Sequence, residues 1–238
     1  MENQSQKKDM NLLFDQKAAD SYDQRTVVWA AGRQSLHDLT RVILGELPAK
    51  ARILCVGVGT GIEMVALAEA FPEWRFTAVE PSRAMLEVCR QRARENGIES
   101  RCTFHGGYLD SLPASEPFEA ATCLLVSHFF MVPEERSAFF GEIAVRLRVG
   151  GILVSSDLAS DMASEEYRSL LDVWVRMMKS PAMSDEDIEK WRSSYGRDAA
   201  VLPSREVEGI IKAGGFETSV LFFQNLLIHA WYSKKSAI

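Results

Sequence analysis

No stretch of this sequence approaches the roughly 20 consecutive apolar residues that a bilayer-spanning helix requires. The opening residues, MENQSQKKDM, lack the apolar core of a secretory signal. The expectation is a cytoplasmic protein with no membrane partner. Basic residues are also short: 27 Lys and Arg against 33 Asp and Glu leave a net charge of -6. That balance disfavours a broad phosphate-tracking surface, so nucleic acid is not expected as a partner. The cysteines number four, Cys55, Cys89, Cys102 and Cys123, with no CxxC pair among them. Set in apolar or periodic runs, they read as reduced, buried thiols. The four histidines have no ligand-spaced acids beside them, and no metal site is expected. Repeats and low-complexity tracts are missing too. What remains is an ordinary globular mixture, 47% hydrophobic and 25% charged over 238 residues. Such a chain builds its core without covalent or metal staples, and one domain over residues 1–238 is expected.

From Arg52 onward, short β-rich runs alternate with longer helical periods, the pattern of a mostly parallel sheet covered by helices. Strands are expected over Arg52 to Gly57, Arg75 to Glu80, about Arg101 to His105, Ala120 to Val126 and Ile152 to Ser156. Pro133 opens a helix that Gly150-Gly151 breaks. Ser204 is read as the cap of a last helix, and Phe216 to Phe223 with Leu226 to Lys234 as a hairpin turning at Gln224-Asn225. Two helical patterns before the sheet make residues 1–50 an N-terminal helical cap, placed over the carboxyl ends of the strands. Two further helices without a strand make residues 157–203 a helical lid insertion; Ser184 with Asp187 three residues on starts the second of them.

The strongest local signal is ILCVGVGTG, Ile53 to Gly61, because glycines at a strand end let bare backbone approach a ligand that a Cβ would block. Its spacing discriminates between ligands. A dinucleotide fingerprint needs GxGxxG, but here the third glycine is Gly61 and Ile62 takes the diagnostic place, which fits nicotinamide cofactors poorly. Glu80 ends the second strand nineteen residues after Gly61, where a carboxylate can accept hydrogen bonds from both hydroxyls of a ribose. A nucleoside-containing ligand is implied.

Together with the runs FTAVEPSRAML, Phe76 to Leu86, and RLRVGGILVSSD, Arg146 to Asp157, this loop resembles the class I S-adenosylmethionine-dependent methyltransferases. The resemblance implies a doubly wound, mostly parallel, seven-stranded Rossmann-like α/β sheet ending in an antiparallel C-terminal hairpin. It also implies S-adenosyl-L-methionine as cofactor. PEERSAFF at Pro133, KAGGFETS at Lys212 and LFFQN at Leu221 are similar to the branch containing carboxy-S-adenosylmethionine synthase. The arginine with which that branch holds its cofactor's extra carboxylate has no counterpart in Val207 to Ile211, which favours plain S-adenosylmethionine. Carried over, Gly57, Val58, Gly59, Thr60 and Gly61 form the cofactor loop, and Glu80 with Pro81 the ribose side. Cys55 stands where the family often has an acid, so the cofactor's ammonium needs another partner, such as a carbonyl near Leu125. Tyr108 follows Gly107 where the family often has an acid for the adenine, so Tyr108 and Leu109 take the adenine side, or Asp110 reaches back.

Displacement at a sulfonium needs no protonated leaving group, so positioning alone can supply about 7–11 kcal/mol. A base is optional. His128, just past the fourth strand, is the candidate base, with satisfied packing as the alternative. Trp174, Met177, Met178, Met183, Trp191 and Tyr195 in the insertion either enclose a substrate beside Phe129 and Phe130 or form core. Tyr22, Trp29 and Arg33 either close over the bound molecules or simply pack. Arg90, Arg92, Arg94 and Arg101 read as a solvated basic face. The expected activity is methyl transfer to a small-molecule acceptor by a monomer or homodimer. The alternatives are an RNA-related or cofactor-modifying transferase and a catalytically inactive cofactor-binding subunit.

Overall fold

The structure, a computed structural model, describes residues 9–179 and 184–237. Met183, one of the apolar residues assigned to the insertion, lies outside the described residues. The strands are β1 (Arg52–Val56), β2 (Arg75–Glu80), β3 (Cys102–Gly106), β4 (Phe118–Leu124), β5 (Leu147–Leu158), β6 (Val220–Asn225) and β7 (Ile228–Lys234). They form one seven-stranded sheet in the order β3-β2-β1-β4-β5-β7-β6. The first five are mutually parallel, and β7 enters antiparallel between β5 and β6. The chain winds outward from β1 through β2 to β3, then returns to lay β4 on the other side of β1. That reversal opens a crevice at the carboxyl ends of β1 and β4, where open α/β sheets bind ligands.

The described helices are α1 (Met10–Leu13), α2 (Gln16–Arg25), α3 (Ala30–Leu44), α4 (Ile62–Ala70), α5 (Arg83–Glu95), α6 (Pro133–Arg146), α7 (Glu165–Met178), α8 (Asp185–Arg192) and α9 (Ser204–Ala213). The two-residue period of β1 sorts its side chains between two cores. Ile53 and Cys55 join Met64, Phe76, Leu86 and Val154 on one face; Leu54 and Val56 join Phe140, Ile143, Leu153 and Trp231 on the other. A third cluster joins Trp29 to Leu171, Trp174, Leu227 and Ile228, which anchors α7 to the sheet's last strands.

Several boundaries differ from expectation. β5 begins at Leu147 rather than Ile152, because an irregularity in its pairing with β4 between Phe118 and Ala120 absorbs Gly150-Gly151 into the strand. β6 starts at Val220; Phe216 makes only an isolated bridge to Lys235 and buries its ring in the core. The hairpin turns at Leu226-Leu227, with Leu226 at φ 53, rather than at Gln224-Asn225, which belong to β6. Ser204 is the first helical residue of α9, and Pro203 takes the cap position without a side-chain bond. The capping box of Ser184 and Asp187 forms as expected. Cys102 is only partly buried, whereas the other three thiols are buried. Among the described residues no helix is long and apolar enough to cross a membrane.

Candidate nucleoside-binding cleft

The loop from Gly57 to Gly61 is drawn onto β2: the Gly57 and Val58 N–H groups both donate to the Val79 carbonyl, at 2.8 and 3.1 Å. Gly57 has φ +63, and a Cβ there would stand 2.5 Å from Val126 Cγ2. Gly61, at φ +80, is packed so closely on α5 that a Cβ would meet Cys89 Sγ at 2.6 Å. Both positions therefore exclude a side chain, for strain and for contact. A Cβ on Gly59 would make ordinary contact with Met85 Cε at 3.7 Å, so there the backbone conformation, φ +56, is what favours glycine.

Glu80 braces this loop. Its carboxylate accepts the Gly59 N–H at 3.0 Å and the Ser82 N–H at 2.9 Å. Burial pushes the carboxyl above its ordinary value, while those two N–H groups pull it back. An ionised carboxylate has about four lone-pair sites, so acceptor capacity remains at the strand tip.

Beside the loop runs a narrow cleft with a free volume of about 90 Å³. Gly57, Val58, Gly59 and Thr60 line one wall; Leu124, Leu125 and Ser156, at the β4 and β5 ends, line another. Tyr22, Trp29, Arg33 and His37 close it from the N-terminal helices. Leu125 sits at φ 57, an uncommon conformation for leucine, held by its N–H donating to the Ser156 carbonyl at 2.8 Å. The N-terminal segment is tied down along the site. Thr60 Oγ1 donates to Asp23 at 2.8 Å, and Arg92 bonds both Asp23 and the Thr60 carbonyl. Ser82 Oγ donates to the Phe14 carbonyl at 2.6 Å, and Met10 N–H reaches the Tyr108 hydroxyl at 3.5 Å. Residues 10–14 thus lie across the carboxyl ends of β2 and β3.

The cleft gathers Gly57, Val58, Gly59, Thr60, Leu125, Tyr22 and Arg33, and leaves out Gly61, Glu80, Pro81, Tyr108, Leu109, His128, Phe129, Trp174 and Met178; Glu80 adjoins it through its bond to Gly59. Pro81 is half-buried after Glu80, and Leu109 is buried in the α6 core. Trp174 and Met178 belong to the third apolar cluster, where Trp174 Nε1 donates to the Tyr195 hydroxyl at 2.7 Å. Arg92 and Arg101 are not a solvated face: Arg92 grips the loop, and Arg101 donates to the carbonyls of Ala68, Phe71 and Trp74. Arg101 also borders a larger hollow of about 250 Å³ with Arg52 and Arg75, at the amino-terminal strand ends. That hollow lies at the wrong end of the sheet for a switch-point ligand.

His128 is buried rather than at an open rim. Its Nδ1 lies 3.1 Å from Asp157 Oδ1, which also accepts the His128 N–H at 2.8 Å. Asp157 Oδ2 takes the Ser127 hydroxyl at 2.5 Å and stands 2.8 Å from Arg136 Nη2, with Arg136 and Asp157 both fully buried. Burial alone would raise the Asp157 carboxyl. The Arg136 guanidinium and the bonds from His128 and Ser127 overcome that and hold it below the ordinary range.

Sequence reasoning passed over Glu63, His37 and Ser156, all of which line the cleft. Glu63 Oε1 is buried without a hydrogen bond, and the neighbouring Thr122 hydroxyl partly draws its carboxyl back down. Burial pushes its carboxyl up to about 7. Burial, followed by Arg33, pushes the His37 imidazole down to about 4. The sequence signal for Glu63 is an acid in the first turn of the helix that leaves the glycine loop.

The sheet thus brings together a switch-point crevice, a glycine-rich loop and a strand-tip carboxylate. Residues 53–151 match the family described as a methyltransferase domain. The methyltransferase YcgJ of Bacillus subtilis is 28% identical over 163 residues, 61% of this chain and 62% of that protein, so the match leaves over a third of that relative uncovered. Carboxy-S-adenosyl-L-methionine synthase of Campylobacter lari is 23% identical over 209 residues, 86% of each chain. Magnesium protoporphyrin IX methyltransferase from Synechocystis PCC 6803, solved with bound S-adenosylhomocysteine, shares the fold at a TM-score of 0.69 and 17% identity, over 95% of this chain and 98% of that one. Over residues 53–151 the chain is thus similar to a methyltransferase domain, and its fold is shared with solved S-adenosylmethionine-dependent methyltransferases.

Proposed function

We propose that the protein transfers a methyl group from S-adenosylmethionine, held in the cleft at the β1–β4 crevice, to a small-molecule acceptor. The observation that carries the reading is the bare Gly57–Gly61 loop with Glu80 at the adjoining strand tip. The solved neighbour that this chain spans almost end to end is named for methylating a porphyrin, and the net charge of -6 argues against a nucleic-acid acceptor. Bound there, the cofactor supplies an electrophilic methyl: the acceptor's lone pair takes the carbon while the sulfur–carbon pair stays on sulfur. The chain's part is placement. Gly57 to Gly61 give backbone approach, Glu80 with Pro81 holds the ribose, and Tyr108, bonded by the Met10 N–H, stands on the base side. Tyr22 and Arg33 close the cleft, while Leu109, Trp174 and Met178 pack in apolar clusters behind it. Asp157 fixes His128 through Nδ1; because His128 is buried outside the cleft lining, its Nε2 takes the acceptor's proton only once the acceptor displaces part of that wall. A cytoplasmic monomer or homodimer completes the reading.

Calorimetric titration with S-adenosylhomocysteine tests the site. Wild type binds, and Glu80→Ala binds about 10- to 100-fold more weakly, the loss of hydrogen bonds to a charged group. His128→Gln keeps that affinity but loses about 10²-fold or more in labelled-methyl transfer to a metabolite extract. Equal affinity in Glu80→Ala removes the ribose assignment. Binding without transfer to any component favours the inactive cofactor-binding subunit.

A further inference from the structure

The charges lining the cleft are few and specific. Among the described residues that line it, Glu63 is the one acid and Arg33 the one arginine, while His37 is held neutral. Arg33 is engaged elsewhere: its Nη1 donates to Thr26 Oγ1 at 3.0 Å, and its guanidinium lies over the Trp29 ring. Glu63 has no such partner. Its Oε1 is buried without a hydrogen bond, and the one group that offsets its burial is the neutral Thr122 hydroxyl, which pairs with Cys55 across β1 and β4. The Cys55 and Cys89 thiols near it are pushed up by burial and carry no charge at neutral pH. An unpaired buried carboxylate costs several kcal/mol unless it is protonated or given a cation. The fold keeps one in the wall of its ligand cleft.

We infer that Glu63 receives the α-ammonium group of the cofactor's amino-acid arm, a role for which β1 offers only the neutral Cys55. The inference rests on the reading of the cleft as the S-adenosylmethionine site. An ammonium has three N–H donors and the buried carboxylate has the free acceptors to meet them. Arg33, lining the same cleft, is placed to turn from Thr26 to the arm's carboxylate. Acid and arginine together then match an α-amino acid, so the site selects nucleosides that carry the complete arm. Because the Glu63 carboxyl is held near 7, binding of the cation expels its proton. His37 from α3 and the Cys55 and Cys89 thiols keep their protonation states; Glu80, also raised by burial, faces the ribose that both test ligands share, so a proton released only with the arm comes from Glu63.

Two ligands separate this role from a structural one. S-adenosylhomocysteine carries the arm; 5′-methylthioadenosine shares the nucleoside and thioether but lacks it. Wild type is expected to bind the first at least tenfold more tightly, with proton release at pH 7 revealed by calorimetry in two buffers of different ionisation enthalpy. Glu63→Gln is expected to lose about 10- to 100-fold for S-adenosylhomocysteine, to change less than twofold for methylthioadenosine, and to release no proton. Equal binding of the two ligands by wild type, or equal losses for both in the variant, overturns the assignment and leaves the nucleoside site standing. Binding of neither ligand by wild type overturns the cleft reading and this inference with it. The wild-type comparison and its proton count decide the matter even if Glu63→Gln fails to fold.

Discussion

Asp157 shows how much a single side chain carries. It is fully buried and receives the Ser127 hydroxyl, the His128 N–H and the Arg136 guanidinium, so it fixes the short turn after β4. Removing one partner of a buried ion pair leaves the other charge stranded, at a cost of about 3–5 kcal/mol. Asp157→Asn is therefore expected to lower the melting temperature by roughly 6 °C or more, read by calorimetry. The pH dependence follows from the depressed carboxyl. Its contribution is fully present above the unfolded value of about 3.9 and is lost as pH falls through the lower folded value. Acid denaturation of wild type should accordingly be steeper below pH 4 than that of Asp157→Asn; superposable acid limbs would remove Asp157 from the account. At this scale the sequence was half legible. Glycine spacing exposed Gly57, Gly59 and Gly61, and position after a strand exposed Glu80. Glu63 stayed hidden because an acid in a helix's first turn is ordinary, and only the fold shows it buried against Thr122.

Among the elements, α2 controls the loop that α4 grows from. Asp23 is the hinge of that contact, joining Thr60 to Arg92 of α5. Both members of the ion pair are partly exposed, 23% for Arg92 and 34% for Asp23, so its worth to global stability is small, about 1 kcal/mol or less. Its effect on the ligand is larger, since α2 carries Tyr22 onto the cleft. Asp23→Ala is expected to speed S-adenosylhomocysteine release several-fold in stopped-flow measurements while leaving the melting temperature within about 2 °C; an unchanged release rate would mean that α2 is not a closing element. Periodicity located nearly every helix and strand, because burial on two sheet faces imposes it. It misplaced the final turn, because Gln224-Asn225 carry turn chemistry yet pair with His229 and Ile228, while Leu226 takes the strained position to keep Leu227 in the core.

For the whole molecule, the order of βα units was readable, and the seven-stranded sheet with its antiparallel end follows from it. An N-terminal cap over the strand ends was also readable; its particular contacts, such as Ser82 with Phe14 and Tyr108 with Met10, were not, because they join residues far apart in the chain. A cleft of about 90 Å³ must widen to take a nucleoside, so binding and the position of residues 10–29 are coupled. S-adenosylhomocysteine at a hundred times its Kd should add about 2.7 kcal/mol of stability, a rise of roughly 5–11 °C for a chain of this size. Hydrogen exchange over residues 10–29 should change with it; a flat thermal shift at saturating ligand would contradict binding to the folded state.

β7, made last of the seven strands, lies inside the sheet and not at its rim. Until residues 228–234 have left the ribosome, β5 presents a full row of unsatisfied amides to its surroundings, an adhesive edge on a nascent chain whose glycine loop is already complete. Chaperone dependence during synthesis should therefore track the β5 rim rather than the cleft.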